Sequence, residues 1–232
     1  SSLGTQLAFQ MISRGELSNG VSLANASLAL ARKTGSANNI SWSLTALGCA
    51  HLMLGEWERS EQCLSEVVNI GQKLSSFVRV LQGNCLLGFL CLEKGEYAKA
   101  VEFSEKAFTR LEEAESLYLP ELFSWQVLAY IELGEIDKAE KQISICHKLA
   151  LETENKQLIA TVDTLRAASL RAQKKFDESI KLFEKSLQEW EALHVRKWFV
   201  WFFARMVLFE YARAYLERDQ EGDREKAHSL LN

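Results

Sequence analysis

The chain has 232 residues, 27 basic against 31 acidic, one proline and 47% apolar side chains. That length suits one domain or one run of repeats with a sizeable core, and a net charge of −4 with the signs interspersed leaves no basic block for nucleic acid. Proline so far below the usual ~5% argues against turn-rich sandwiches and barrels, while abundant alanine, leucine, glutamate and lysine point to an all-α fold.

No stretch of about 18 apolar residues occurs, so no membrane span is expected. The most apolar run, Trp198 to Phe203, is followed by Arg205. The chain opens Ser1-Ser2-Leu3 without a signal peptide and stops inside a helical pattern at Leu231-Asn232, which reads as a fragment of a longer, cytoplasmic polypeptide.

In chain order, apolar periodicity predicts helices over 3–14 and 16–33, 38–54 and 57–74, and 77–94 and 97–113. It continues over 120–133 and 136–152, 156–173 and 176–193, then 195–218 and 223–232. One turn recurs inside each pair: Gly15-Glu16-Leu17, Gly55-Glu56-Trp57, Gly95-Glu96-Tyr97 and Gly134-Glu135-Ile136. A fifth copy, Lys174-Lys175-Phe176-Asp177, lacks the glycine, and a sixth, Gly222-Asp223-Arg224, is degenerate. The intervals are 40, 40, 39, 40 and 48 residues, a spacing that means stacked supersecondary units.

Each turn has the same grammar. Glycine ends one helix in the left-handed conformation, and the acidic residue after it suits the positive start of the next. A small residue follows at Gly20, Ser60, Ala100, Ala139, Ser179 and Ala227. A second small slot precedes each turn at Ala8, Gly48, Gly88 and Ala167, with Val127 the exception. Small residues at both places let two helix backbones approach closely.

Together these residues resemble the tetratricopeptide repeat family, over essentially the whole chain, as about five and a half units. The usual unit of that family is about 34 residues. A unit of forty is similar to the longer-helix variety in regulatory arms of signalling ATPases, cyclase-associated ATPases and bacterial transcriptional activators. The resemblance implies an α-α superhelix, a solenoid of antiparallel helical hairpins, forming a single repeat domain over 1–232. Val127, Lys174 and eight extra residues in the last unit depart from the pattern.

In the resembled family the first helix of every hairpin lines a concave groove. Carried over, the groove set is Phe9, Trp42, Thr45, Cys49, Met53, Cys85, Phe89, Leu128 and Arg171. The places where some relatives clamp acidic tails hold threonine, phenylalanine and cysteine here, so a mildly apolar groove for an amphipathic helix or an apolar peptide is expected. Aromatic residues at helical spacing also pack adjacent hairpins, so Trp42 and Phe89 stay open between partner contact and core.

The segment from Arg196 to Arg218 carries Trp198, Trp201, Phe202 and Phe209, among other aromatics, on more than one face. Two readings stay open: cover by residues further along a longer chain, or self-association into a homodimer through the C-terminal helices. The five cysteines form no C-x-x-C pair and read as reduced thiols in a core, and the four histidines are scattered. No metal site, cofactor or catalytic residue is expected; phosphate-loop, dinucleotide, zinc-protease and nucleophile-elbow motifs are all missing.

The expected function is a non-catalytic scaffold or regulatory arm of a larger signalling protein. Its partner would be a protein or peptide, other domains of the parent chain included, with no role for nucleic acid or membrane. A small-molecule-sensing domain and a self-assembly module are the alternatives.

Overall fold

A computed structural model of the chain describes residues 2–108, 119–193 and 204–232. The chain divides into two compact units, residues 1–118 and 119–232. Among the described residues all regular structure is helical.

The first unit holds α1 (Ser2–Ser13), α2 (Leu17–Thr34), α3 (Ala37–Met53), α4 (Trp57–Lys73), α5 (Phe77–Glu93) and α6 (Tyr97–Phe108). Each packs on the next, and α3 also touches α1 and α5. The second unit holds α7 (Leu119–Glu132), α8 (Ile136–Glu152), α9 (Lys156–Ala172), α10 (Phe176–Ala192), a π-helical segment (Ala204–Phe209), α11 (Glu210–Arg218) and α12 (Asp223–Leu231). There α7 packs on α8 and α9, α9 on α10, and α11 on α10 and α12. Antiparallel hairpins packed in series are thus the architecture of both units. Every described helix end lies within one residue of the boundary read from the sequence, apart from α6, whose expected end at 113 lies outside the described residues, and the expected 195–218 helix, whose start also lies outside them and which is π-helical over Ala204–Phe209.

The hairpin turn is built the same way each time. Gly55 is left-handed at φ 72°, its N–H donates to Leu52 O, and the Glu56 N–H donates to His51 O. This pair of bonds closes the last open carbonyls of α3. Gly15, Gly95 and Gly134 repeat it, and so does Lys174, at φ 62°. The fold therefore imposes the glycine conformation on a lysine, at the cost that a Cβ carries in that region.

The two small slots meet across each hairpin. A Cβ on Gly20 would lie 2.5 Å from Ile12 Cγ1 and 3.2 Å from Ala8 O. Ser60 Oγ donates to Gly48 O at 2.8 Å, and Ser179 Oγ donates to Ala167 O at 2.7 Å, each across 12 residues. A serine in this slot bonds the opposite backbone instead of leaving its hydroxyl unpaired in the core. Val127 and Ala139, also 12 residues apart across a turn, are both fully buried, with only one of the two small.

A second set of left-handed joints links one hairpin to the next: Gly35, Ser75 and Glu154. The following residues, Ser36, Ser76 and Asn155, donate back to Ala31, Gly71 and Ala150. Asn155 adds a cap, its side chain accepting from the Gln157 and Leu158 amides. Only the first of these joints is a glycine, so residue type alone does not mark them.

Inside unit 1, α5 is buried without a break from Leu81 to Leu92. Within that unit α5 packs on α3, α4 and α6. In unit 2 the corresponding stretch runs from Phe123 to Ile131 on α7.

Candidate partner-binding surface and the charged core of the second unit

The groove set separates into two groups. Thr45, Cys49, Cys85, Phe89, Leu128 and Arg171 are buried. Phe9 and Met53 are half-buried, and Trp42 is 36% exposed. Phe89 lies in the unbroken core of α5, where its ring packs. Trp198, Trp201 and Phe202 lie outside the described residues, whereas Phe209 is 42% exposed.

Around Trp42 the structure builds a shelf that the sequence did not mark. The Arg79 guanidinium of α5 lies over the indole, 4.1 Å from its centroid. Arg79 Nη2 donates to Asn38 Oδ1 at 2.7 Å, and Nη1 donates to Gln82 Oε1 at 3.0 Å. Asn38 and Trp42 stand one turn apart on α3, hence on one face. Arginine only donates, so Asn38 must turn its carbonyl inward and present its NH₂ outward. An aromatic face and a fixed amide donor thus sit together at the surface of unit 1, held by a buried guanidinium.

Unit 2 ties the corresponding helices with charge. Glu210 of α11 is fully buried, and its carboxylate takes Arg171 Nη2 at 3.0 Å, Arg205 Nη1 at 2.7 Å and Arg213 Nη1 at 3.4 Å. Arg171 of α9, its side chain 4% exposed, also holds Glu217 at 2.7 Å and approaches Glu132 of α7 at 3.7 Å. Arg213 reaches Glu132 at 2.5 Å. Three arginines and three glutamates therefore balance across α7, α9, the π segment and α11. Burial pushes the Glu210 carboxyl up, but Arg205, Arg171 and Arg213 outweigh it and hold the group below the ordinary carboxylate range. Arg171 Nε stays buried without a hydrogen-bond partner. The groove residue expected to face a partner is here a structural cation.

A signal for this network was present in the sequence. Glu210, Arg213 and Glu217 follow the three- and four-residue spacing of helix ion pairs inside an otherwise aromatic stretch. Arg79 carried no such mark; only the packing of α5 beside α3 places it on Trp42.

The cysteines belong to the interior. Cys49, Cys85, Cys91 and Cys146 are buried, and Cys63 is half-buried. Burial pushes the Cys49 and Cys146 thiols up to about 12, and Cys91 up to about 11, which keeps them protonated. Among the described residues, no group of three His, Cys, Asp or Glu side chains is placed to hold a metal ion. Nor is any helix among them long and apolar enough to cross a membrane.

Comparison with known proteins agrees with this geometry. The family model of the tetratricopeptide repeat matches residues 81–110, which span most of α5, the Gly95 turn and α6. A crystal structure of nearly identical TPR-like repeats from a putative kinesin light chain of Podosopora anserina superposes with a TM-score of 0.63 at 18% identity. The match covers 83% of this chain and 95% of that one. No curated protein matches the sequence significantly.

Proposed function

We propose that this chain, a tetratricopeptide-repeat protein, is a non-catalytic interaction scaffold whose first unit grips a partner segment at the Trp42 shelf. The observation that carries this reading is the stacking of Arg79 on a third-exposed Trp42, with Asn38 fixed beside it. Tryptophan and arginine are the residues most enriched where binding energy concentrates. An indole already held by a guanidinium also loses little side-chain freedom when a partner arrives. The partner chemistry that fits is an extended or helical peptide offering an apolar side chain to the indole and a backbone carbonyl to the Asn38 amide. The scaffold would be one repeat domain within a longer cytoplasmic signalling protein, acting as its regulatory arm.

The test is selection of peptides from a displayed library on the whole chain, followed by titration against Trp42→Ala. Selected peptides should lose at least roughly tenfold in affinity, the scale of a hot-spot truncation, while the melting curve stays close to that of the parent. Peptides that bind both proteins equally would remove the shelf from the function.

Self-association is a second reading, favoured by Phe209 and Leu216, which lie seven residues apart on one side of the helix and are 42% and 49% exposed. Light scattering over a concentration series decides it: a mass that stays monomeric sinks this reading.

A further inference from the structure

Gly71 of α4 and Gly83 of α5 are buried inside helices, where glycine is less favourable than alanine. The corresponding joints between hairpins do without them. Ala31 and Ala150 follow Gly15 and Gly134 at the distance at which Gly71 follows Gly55. Ser43 and Val162 precede Gly55 and Lys174 at the distance at which Gly83 precedes Gly95. The joint of α4 with α5 thus lacks two side chains that the joints of α2 with α3 and of α8 with α9 both carry.

The contacts give the reason. A Cβ on Gly71 would lie 2.8 Å from Arg79 Cβ, 2.9 Å from Val80 N and 3.0 Å from Val80 Cγ2. One on Gly83 would lie 2.5 Å from Val68 Cγ2 and 3.3 Å from Val68 N. Carbon atoms in ordinary contact stand about 3.5–4.0 Å apart. Either methyl would therefore part the two helices or displace Val68, whose branched side chain is stiff. At the counterpart of Gly83 in α3 there is room for a side chain: Ser43 is fully buried and its hydroxyl meets Thr5 Oγ1 of α1 at 3.0 Å. Gly71 thus abuts the root of Arg79, and Gly83 follows Gln82, which accepts from the same guanidinium. The arm that reaches across to Asn38 and Trp42 starts from a base pressed against α4 on both sides of it.

We propose that Gly71 and Gly83 are positioning residues of the Trp42 shelf, which fix where the Arg79 guanidinium lies on the indole. An arginine side chain has a set reach, and its bonds to Asn38 at 2.7 Å and Gln82 at 3.0 Å have little slack before they are lost. A methyl in the joint shifts the root of Arg79 and draws the guanidinium off Asn38 and the indole. The Asn38 amide then turns freely and the indole loses its backing, so a partner has to order both. The effect on a partner rests on the shelf being the binding site; the effect on the shelf does not.

The test is Gly71→Ala in the whole chain, read first by the NMR signals of the Trp42 indole N–H and the Asn38 NH₂. Both signals should move toward their positions in Arg79→Met. Peptides selected on the parent should bind Gly71→Ala roughly tenfold more weakly. Arg79→Met and the double variant should bind them alike, because the second change finds nothing left to disturb. Parent-like signals in Gly71→Ala, or affinity losses that add, overturn the proposal. Should Gly71→Ala fail to fold, Gly83→Ala carries the same question: it should shift both signals, and adding Val68→Ala should return them toward the parent. Signals unmoved by Gly83→Ala, or not restored by the second change, overturn it as well. Peptides indifferent to Trp42→Ala, with the signals moving as expected, would remove the shelf from binding and leave the positioning supported.

Discussion

In the first unit, α3 and α5 are tied by Arg79 through two neutral amides and an indole. In the second, α7, α9 and α11 are tied by three arginines and three glutamates around a carboxylate with no exposure at all. The same hairpin is therefore joined by two chemistries with different tolerances. Breaking the first leaves the amides of Asn38 and Gln82 short of a donor. A buried ionic tie strands a charge in a medium of low polarity, which costs far more than the bond was worth. The tie of unit 1 ends at the surface in Trp42 and Asn38, which serve there as recognition elements; that of unit 2 closes on a carboxylate in the interior.

The sharpest way to break this contrast is to remove one arginine from each unit. Arg171→Met should destabilise the protein by about 3–5 kcal/mol, as expected when a buried ionic partner is lost. Arg79→Met should cost only about 1–2 kcal/mol, the scale of hydrogen bonds to a charged group. Denaturant unfolding measures both, and equal losses would erase the distinction.

The slot between paired helices should behave alike in the two units. Ala100→Leu and Ala139→Leu both overfill a fully buried position and should each cost about 1–3 kcal/mol by the same measurement. A melting temperature unchanged by either would show that the helices are free to part there.

Acid should act on unit 2 more strongly than on unit 1. Asp223 accepts from Arg218 Nε at 2.9 Å and Nη2 at 2.6 Å, and those bonds lower its carboxyl to about 2. Because the folded value lies below the unfolded one, the stabilisation is complete above about pH 4 and is lost as the pH falls toward 2. Asp223→Asn should flatten the unfolding curve in that window. Glu56 and Glu96 of unit 1 are also lowered, Glu56 chiefly by His51 and Glu96 by Lys99, but they are solvent-facing and screened. Neutralising them should leave the acid limb in place.

The smallest expected effect has opposite signs in the two units. Lys174→Gly should stabilise by about 0.5–1 kcal/mol, because the lysine is held at φ 62°. Gly55→Ala, at φ 72°, should destabilise by about 1 kcal/mol. Two melting curves decide this, and a Lys174→Gly variant no more stable than the parent would mean that the lysine aliphatic chain contributes packing of its own.

The helices were legible in the sequence because turn chemistry and apolar spacing repeat locally. Gly15, Gly55, Gly95 and Gly134 mark the hairpin turns, and the small slots on either side mark the close approach. The candidate site was legible only in part. Trp42 stood out as an aromatic on the first helix of a hairpin, but its exposure depends on which neighbours cover α3. Phe89, with the same credentials, is interior because α5 is buried along its whole length from Leu81 to Leu92. Arg171 could be placed on the right face, yet its three carboxylate partners come from residues 39 and more positions away. The π turn at Ala204–Phe209 left no mark in the sequence.

The joints at Gly35 and Ser75 share one backbone shape and one pair of closing bonds, although one is glycine and the other serine. Whatever enters such a junction leaves the next one travelling in an equivalent direction. Residues 36–75 are thus a cassette with matching ends, which could be duplicated or cut out without asking its flanks to bend anew. Evolution can lengthen a unit of this kind by copying text, and a protein engineer can do the same.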